Sequence, residues 1–385
     1  MKVLVNAISA KRGGIVTYTE NLIEALARRD VEAIFAVPPE IAHAHGESTL
    51  SSNASAYGAV RRFFWEQTAW RRLVRRIAPD VLFSSANFGL LVCPVPQLLL
   101  VREGGLFDPF YLVNSAPAQG ALRAVERDFR RRLIVMSARR ADRVMTPSLA
   151  MRDALLLWAP ELASRCTVNP YGTLPAFYRP GSRARPWRED GVLRLLYVSV
   201  YYPHKNPAVI CAALDRLQGE GLASHATITM DVEETAVPGG SHDRIVLAEA
   251  AHTGSATLGH RDYRSLPALY GAHDVFVFPS VSETFGHPMA EALAAGLPIV
   301  AADTAINREI CGAAALYFHP FSPTDLVAAL RRLDADPALR SRLAAEAVSR
   351  ARALYDWDAH ADRLVALLAE VAAHSKAAER SEAQP

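Results

Sequence analysis

The 385-residue chain is short of cysteine, of long apolar runs and of net charge, and each shortage closes off a class of protein. Its four cysteines, Cys93, Cys166, Cys211 and Cys311, lie far apart with no C-x-x-C pair. Neither a disulfide framework nor a cysteine zinc site is expected, and a reducing cytoplasm fits such a chain. The most apolar stretch, FGLLVCPVPQLLLV, is broken by prolines and is not expected to cross a bilayer. The opening MKVLVNAISAKRGG has too brief an apolar run for a signal peptide and reads as a strand running into a loop. No cluster of carboxylates or histidines with metal-ligand spacing stands out, so neither a metal nor another cofactor is expected. What is present is an ordinary globular composition, with 50% hydrophobic and 21% charged residues, in a chain long enough for two cores. Nucleic acid is not an expected partner of a chain whose formal net charge is only +2. That small value conceals an asymmetry. Residues 1–180 carry 23 Lys/Arg against 15 Asp/Glu, a net of +8, and residues 181–385 carry 19 against 25, a net of −6.

Strand-like apolar segments alternate with helical ones. In the first half, strands are expected at KVLVNAI, EAIFAVP, DVLFSS, PQLLLV and DRVMTPS, with helices from about Thr17 and around residues 61–77, 121–141 and 148–158. Thr17 and Glu20 have the spacing of a capping box. A boundary rich in proline, glycine and charge follows at residues 169–191. The pattern then restarts with LRLLYVSV, ATITMDV, DVFVFPS and PIVAAD, each paired with a helix. A last helix, DAHADRLVALLAEVAA, precedes a polar tail expected to be disordered. The alternation predicts an α/β architecture of two doubly wound, Rossmann-like domains facing a central cleft. The expected boundaries are 1–178, 179–355, a helix at 356–374 and a tail at 375–385.

The most informative stretch is SETFGHPMAEALAAGLPIVAAD, residues 282–303. The preceding DVFVFPS reads as a buried parallel strand. Gly286 and Pro288 then mark the entry to an alanine-rich helix, and Gly296 its end. Loops at the carboxyl ends of parallel strands are where ligands bind. A helix amino terminus offers free amides and the positive end of a dipole, so the backbone around Thr284, Phe285, Gly286 and His287 suits a phosphate or a sugar oxygen. A carboxylate aimed at the same phosphate would repel it. Glu283 and Glu291 should therefore face a neutral hydrogen-bond donor, and the vicinal hydroxyls of a sugar suit the two oxygens of a carboxylate. A diphosphate between two polyhydroxylated rings, a nucleotide sugar, meets both demands. On spacing alone, two solvated acids at a helix start account for the pattern as well.

The stretch resembles the donor motif of the family 4 glycosyltransferases, whose usual form is close to PS-x-x-E-G-F-G-x-P-x-x-E-A-M-A-x-G-x-P-V-V; this chain has PSVSETFGHPMAEALAAGLPIV. The likeness continues in EICGAAALYFHPFSPTDLVAAL, ATLGHRDYRSLPALYGAHDVFVFPS, ADRVMTPSLAMRDAL and YDWDAHADRLVALLAEV. The resemblance implies the GT-B fold, with the donor bound mainly by the second domain and the final helix returning to the first. It implies a retaining hexosyltransferase that takes a UDP- or GDP-sugar and a glycan or lipid-linked acceptor, in surface polysaccharide or glycolipid assembly. It puts Glu291 on the ribose, Glu283 beside the transferred sugar and Lys205 on the diphosphate, so that Glu283 and Lys205 carry the transfer. The family's arginine, five residues before that lysine, is Val200 here, and His204, Arg261 or helix amides are candidates to replace its charge. Gly13 and Gly14 match the family's first-domain glycine loop. Alone they read as a strand-to-helix turn, and KRGGIVTYTE lacks the G-x-G-x-x-G of a dinucleotide site. Where many relatives have a histidine after the strand at residues 98–101, this chain has Arg102 and Glu103, the candidates to meet the acceptor.

Three alternatives stay open: a nucleotide-sugar epimerase, a catalytically silent binding module, and a transferase with a soluble small-molecule acceptor. One surface adds a further expectation. Plotted as a helix, residues 61–77 put Phe63, Trp70, Leu73, Val74 and Ile77 on one face and Arg61, Arg62, Arg71, Arg72, Arg75 and Arg76 on the other. Either the basic side is simply solvated or, with Arg127 and Arg130 to Arg132, it rests on an anionic membrane at the inner face.

Overall fold

The structure is a computed structural model that describes residues 1–11, 13–178 and 186–382. Two parallel sheets dominate it. The first contains β1 (Lys2–Asn6), β2 (Glu32–Val37), β3 (Thr49–Ser51), β4 (Val81–Ser84), β5 (Gln97–Leu100), β6 (Arg143–Thr146) and β7 (Cys166–Val168), in the order β3-β2-β1-β4-β5-β6-β7. The second contains β8 (Leu193–Tyr197), β9 (Ser224–Ile228), β10 (Ala256–Leu258), β11 (Val275–Phe278), β12 (Ile299–Ala302) and β13 (Ala315–Phe318), in the order β10-β9-β8-β11-β12-β13. The central strands are continuous apolar runs because helices cover both faces: Val3 to Val5, Val81 to Phe83 and Leu98 to Leu100 are fully buried. Registers such as Val3↔Val81 and Phe276↔Ile299 align these runs across each sheet. In both sheets the strand order reverses once, between β1 and β4 and between β8 and β11. At such a reversal the connections leave in opposite directions and open a crevice at the carboxyl ends of the strands.

By its packing the chain divides into two compact units, one of residues 1–107, 125–170 and 357–385, the other of 108–124 and 171–356. Residues 108–124, expected with the first domain, belong to the second unit. The cause is apolar: in the helix Pro109–Asn114, Tyr111 packs with Ala116 and Val281, and Phe110 stacks on Phe321. The expected linker at 169–191 lies partly outside the described residues, at 179–185.

The final helix, Trp357–Glu382, belongs to the first unit. There Trp357 Nε1 donates to Asn21 O at 3.1 Å, its ring meets Tyr18 edge-on, and Arg29 donates to Asp362 at 2.7 Å. The helix runs through much of the expected tail, whose Ala, Lys, Glu and Arg are good helix formers; residues 383–385 lie outside the described residues. The capping box expected at Thr17 does not form, because the helix Gly14–Ala27 starts earlier and is capped by Gly13. The strands β3, β7, β10 and β13 were not anticipated. Each is an edge strand of three or four residues, too short for a periodic signal.

Candidate functional site

In the second unit the crevice between β8 and β11 is built by the loops that follow those strands. The loop after β11 runs from Pro279 to Gly286 and enters the helix His287–Ala294. Gly286 caps that helix at φ 79°, a conformation that favours glycine; a Cβ there would fall 2.5 Å from Met289 Cε, the movable end of a flexible side chain. Pro288 occupies the first turn. Val281 N donates to His204 O at 2.9 Å, tying this loop to the one after β8. The buried Asn307 amide donates to Ser280 O and Ala302 O, tying it to the end of β12.

Lys205 sits in the loop after β8, where its carbonyl accepts from Tyr197 Oη at 2.9 Å. Its Nζ donates to Glu283 Oε1 at 2.5 Å, with side chains 11% and 12% exposed. The crevice thus joins two residues read separately from the sequence. Shielding from water strengthens the attraction of such a pair and costs each ion its hydration. A ligand that supplies phosphate charge to Lys205 and hydroxyls to Glu283 can therefore replace the pair without stranding either ion.

Glu291, one turn into the helix, is buried and accepts from Tyr270 Oη at 2.9 Å. Burial pushes its carboxyl up to about 7, while hydrogen bonds from Tyr270 and Tyr263 act in the opposite sense. The Phe285 side chain is a core anchor, packed edge-on against Tyr171 and Tyr355, so that position offers a ligand its backbone. The His287 ring stacks on Tyr171 at 4.9 Å, and Thr284 is half-buried. Burial and the neighbouring Lys205 hold His204 well below the usual imidazole range. It is therefore neutral and cannot supply the charge that the family's arginine would bring at Val200. Arg261, after β10, is exposed and donates to the carbonyls of Gly259 and His260. Tyr270 lies in ALYGAHD, where no local signal marks it as a site residue. Only the fold brings it to Glu291.

In the first unit, Gly13 lies in the loop after β1 at φ 69°, and Gly14 is the first residue of the helix it caps. Arg102 and Glu103 follow β5. Asn87, after β4, accepts from Arg102 N at 2.7 Å and donates to Glu103 Oε2 at 3.2 Å. The Arg102 guanidinium lies 5.4 Å from the Tyr18 ring centre, and Arg130 is 3.5 Å from Glu103. Two Asp-x-Asp sequences occur, and both are engaged in structural contacts. Asp334 binds Trp187 and Arg188, Asp336 caps the helix Pro337–Leu354, Asp356 bridges through its backbone to Thr173, and Asp358 pairs with Arg28 and Arg29.

The basic face at 61–77 is narrower than the helical plot implied. Arg62 turns inward toward Glu66, 3.8 Å away, and the Arg71 side chain is partly buried. Arg131 donates to Leu106 O and lies 3.6 Å over the Trp158 ring. Arg72, Arg75, Arg76 and Arg132 remain exposed. No described helix is long and apolar enough to cross a membrane.

Comparison with known proteins follows the same division. Residues 12–173 match the family described as Glycosyltransferase Family 4, and residues 183–350 match Glycosyl transferases group 1. A D-inositol 3-phosphate glycosyltransferase of Thermomonospora curvata is 44% identical over 102 residues, 26% of this chain and 23% of the relative. A glycogen synthase of Mycobacterium tuberculosis is 30% identical over 225 residues, 57% of this chain and 52% of the relative. The matches span less than two thirds of these relatives. Among solved structures, sucrose-phosphate synthase from Thermosynechococcus elongatus superposes with a TM-score of 0.78 at 20% identity, covering 97% of this chain and 100% of that one. The Anabaena protein HepE in complex with UDP and glucose gives 0.73 at 17% identity, covering 96% and 100%. At such identities the likeness is one of fold.

Proposed function

The chain belongs to the family 4, group 1 glycosyltransferases of GT-B fold, and from that premise we propose that it is a retaining hexosyltransferase that takes a nucleotide-diphosphate sugar. The observation that carries this reading is the shielded Lys205–Glu283 pair in the crevice between β8 and β11. The donor's diphosphate takes Lys205 and the amides at the start of the helix His287–Ala294. Glu283, released, accepts hydrogen bonds from the hexose, and Glu291, oriented by Tyr270, accepts from the ribose. The bond from the sugar's anomeric carbon to the diphosphate oxygen breaks, and a bond to the acceptor hydroxyl oxygen forms on the same face. The acceptor proton passes to the leaving phosphate. The protein's task is to stabilise the departing charge and hold the reactants in place. That task falls to Lys205 and the helix amides, without a metal.

HepE is solved in complex with UDP and glucose, and a Mycobacterium tuberculosis relative is named a GDP-mannose-dependent alpha-mannosyltransferase, so UDP- and GDP-sugars are the donors to try first. The acceptor is a glycan or a lipid-linked molecule, used in polysaccharide or glycolipid assembly. The protein works in the cytoplasm, held loosely at anionic lipid by Arg72, Arg75, Arg76 and Arg132. A thermal-shift screen against UDP-, GDP- and ADP-sugars identifies the donor, because a bound ligand raises stability in proportion to the logarithm of one plus its concentration divided by its dissociation constant. Donor turnover is then followed with and without acceptor, in EDTA. Turnover that needs no acceptor and yields an isomer of the donor makes the chain an epimerase. Loss of transfer in EDTA, restored by Mg²⁺, rules out the metal-free site.

A further inference from the structure

A buried glutamate in the first unit has no part in the donor chemistry. Glu66 opens a π-helical turn, Glu66–Trp70, set between the helices Ala59–Trp65 and Arg71–Ile77. Such a turn inserts a residue into the helix and re-aims the side chains around it, and it recurs at functional sites. Here it delivers the carboxyl to the carboxyl end of β1, where Oε1 accepts from Asn6 Nδ2 at 3.0 Å. Arg62, one turn back, lies 3.8 Å from the same oxygen. The other oxygen, Oε2, is buried and has no hydrogen-bond partner among the described residues, on a residue only 4% exposed. A buried acceptor left unmade costs stability and calls for an explanation.

Its position supplies one. β1 and β4 flank the reversal of strand order in the first sheet, and the polar residues after β4 and β5 gather there. Ser85 Oγ donates to Asn6 O at 2.8 Å, and Asn87 joins Arg102 to Glu103. The charged group facing Glu66 is Arg62, and behind it Glu103 and Arg130 act on Arg62 and on each other. A transferase needs a place for its second substrate, and this crevice has the same strand order as the one assigned to the donor.

We propose that Glu66, presented by the π turn and braced by Asn6 and Arg62, determines acceptor specificity by accepting a hydrogen bond at Oε2 from a hydroxyl of a neutral, polyhydroxylated ring. The inference rests on the transferase reading of the second unit. A hydroxyl donor satisfies the oxygen left without a partner. A phosphate or carboxylate would meet the acids Glu66 and Glu103, with Arg62 and Arg130 already drawn toward them. Burial also pushes the Glu66 carboxyl up to about 7, against the pull of Arg62 and Asn6. Binding to the ionised form therefore tightens as pH rises through neutrality.

The test is calorimetric titration of the full chain, with UDP or GDP present, using glucose, mannose and myo-inositol and the monophosphate of each. A neutral ring should bind about tenfold more tightly at pH 8 than at pH 6, the ratio of ionised fractions for a group titrating near 7. Glu66→Gln should lose that pH dependence and bind at least about tenfold more weakly, as expected when a charged acceptor becomes a neutral amide. Its nucleotide affinity should stay unchanged. Tighter binding of a monophosphate than of its neutral parent, no neutral ring bound, or an unaltered affinity in Glu66→Gln would each overturn the proposal. Should that variant not fold, a wild-type affinity equal at pH 6 and pH 8 overturns it alone. Nucleotide binding is read separately in the same cell, so loss of the donor reading is distinguishable from loss of this one.

Discussion

The two units share one strand order over six strands, to which the first adds a seventh at its edge, and each keeps a glutamate near its reversal point, Glu291 in one and Glu66 in the other. Each is 4% exposed, and in each burial pushes the carboxyl up to about 7. They differ in how they are presented and held. Glu291 projects from a regular helix and is oriented by a tyrosine hydroxyl 21 residues away in sequence. Glu66 projects from a π turn and is held by an asparagine 60 residues away and an arginine one turn back. One topology thus makes the same kind of polar floor twice, by different local means. The first unit's basic surplus does not blur the parallel, because Arg62 and Arg131, two of its arginines, are turned inward.

The largest effect separates the two glutamates of the second unit. Glu283→Ala should abolish transfer while leaving the fold and nucleotide affinity nearly intact, whereas Glu291→Ala should weaken donor binding, because one faces the reacting sugar and the other the ribose. Equal losses of donor affinity, measured by calorimetry, would remove that division of roles.

Next comes Lys205→Ala, expected to cost about 2–3 kcal/mol, roughly 30- to 150-fold in kcat/KM, as for loss of a charge-assisted hydrogen bond to a shielded phosphate. With Val200 in place of the arginine and His204 neutral, the loss should fall toward the upper end. A change under about threefold would mean that the diphosphate lies elsewhere.

The parallel between Glu66 and Glu291 is itself testable through pH. Both carboxyls titrate near 7 in the folded chain, above the ordinary 4.5. The folded state thus holds their protons more tightly than the unfolded one. The stability this confers is full below about pH 4.5 and is lost as pH rises through about 7. Glutamine cannot ionise, so Glu66→Gln and Glu291→Gln should each gain on the wild type between pH 5 and pH 8, by on the order of 2–3 kcal/mol. Urea unfolding at both pH values decides it. A gain in only one variant would break the parallel between the units.

The smallest effect per residue belongs to the exposed basic surface. Arg72, Arg75 and Arg76 should each contribute about 1 kcal/mol to binding anionic vesicles, in a manner that fades with salt. Co-sedimentation of the wild type and of the triple Arg→Glu variant measures it. A wild-type chain that stays in the supernatant at low salt removes the membrane from the account and favours a freely diffusing acceptor.

Much of this was legible beforehand. The central strands, the glycine and proline that frame the helix His287–Ala294, and the spacing of Glu283, Glu291 and Lys205 are local features carried by apolar runs and turn residues. Glu66 was not legible. RRFFWEQTAW scans as a regular amphipathic helix, and no local signal marks the π turn that carries its acid inward. Nor was the transfer of residues 108–124 to the second unit, since DPFYLV reads as apolar without naming the surface it covers.

The sequence by itself determined which segments become strands and helices, and it set Glu283 and Lys205 in loops at strand ends and Glu291 one turn into a helix, because periodicity, capping and turn chemistry act over a few residues. Tertiary structure alone decided which of those groups meet. Lys205 pairs with Glu283 across 78 residues, and Asn6 reaches Glu66 across 60. Such meetings depend on which strand ends become neighbours, and that follows from how each sheet is wound.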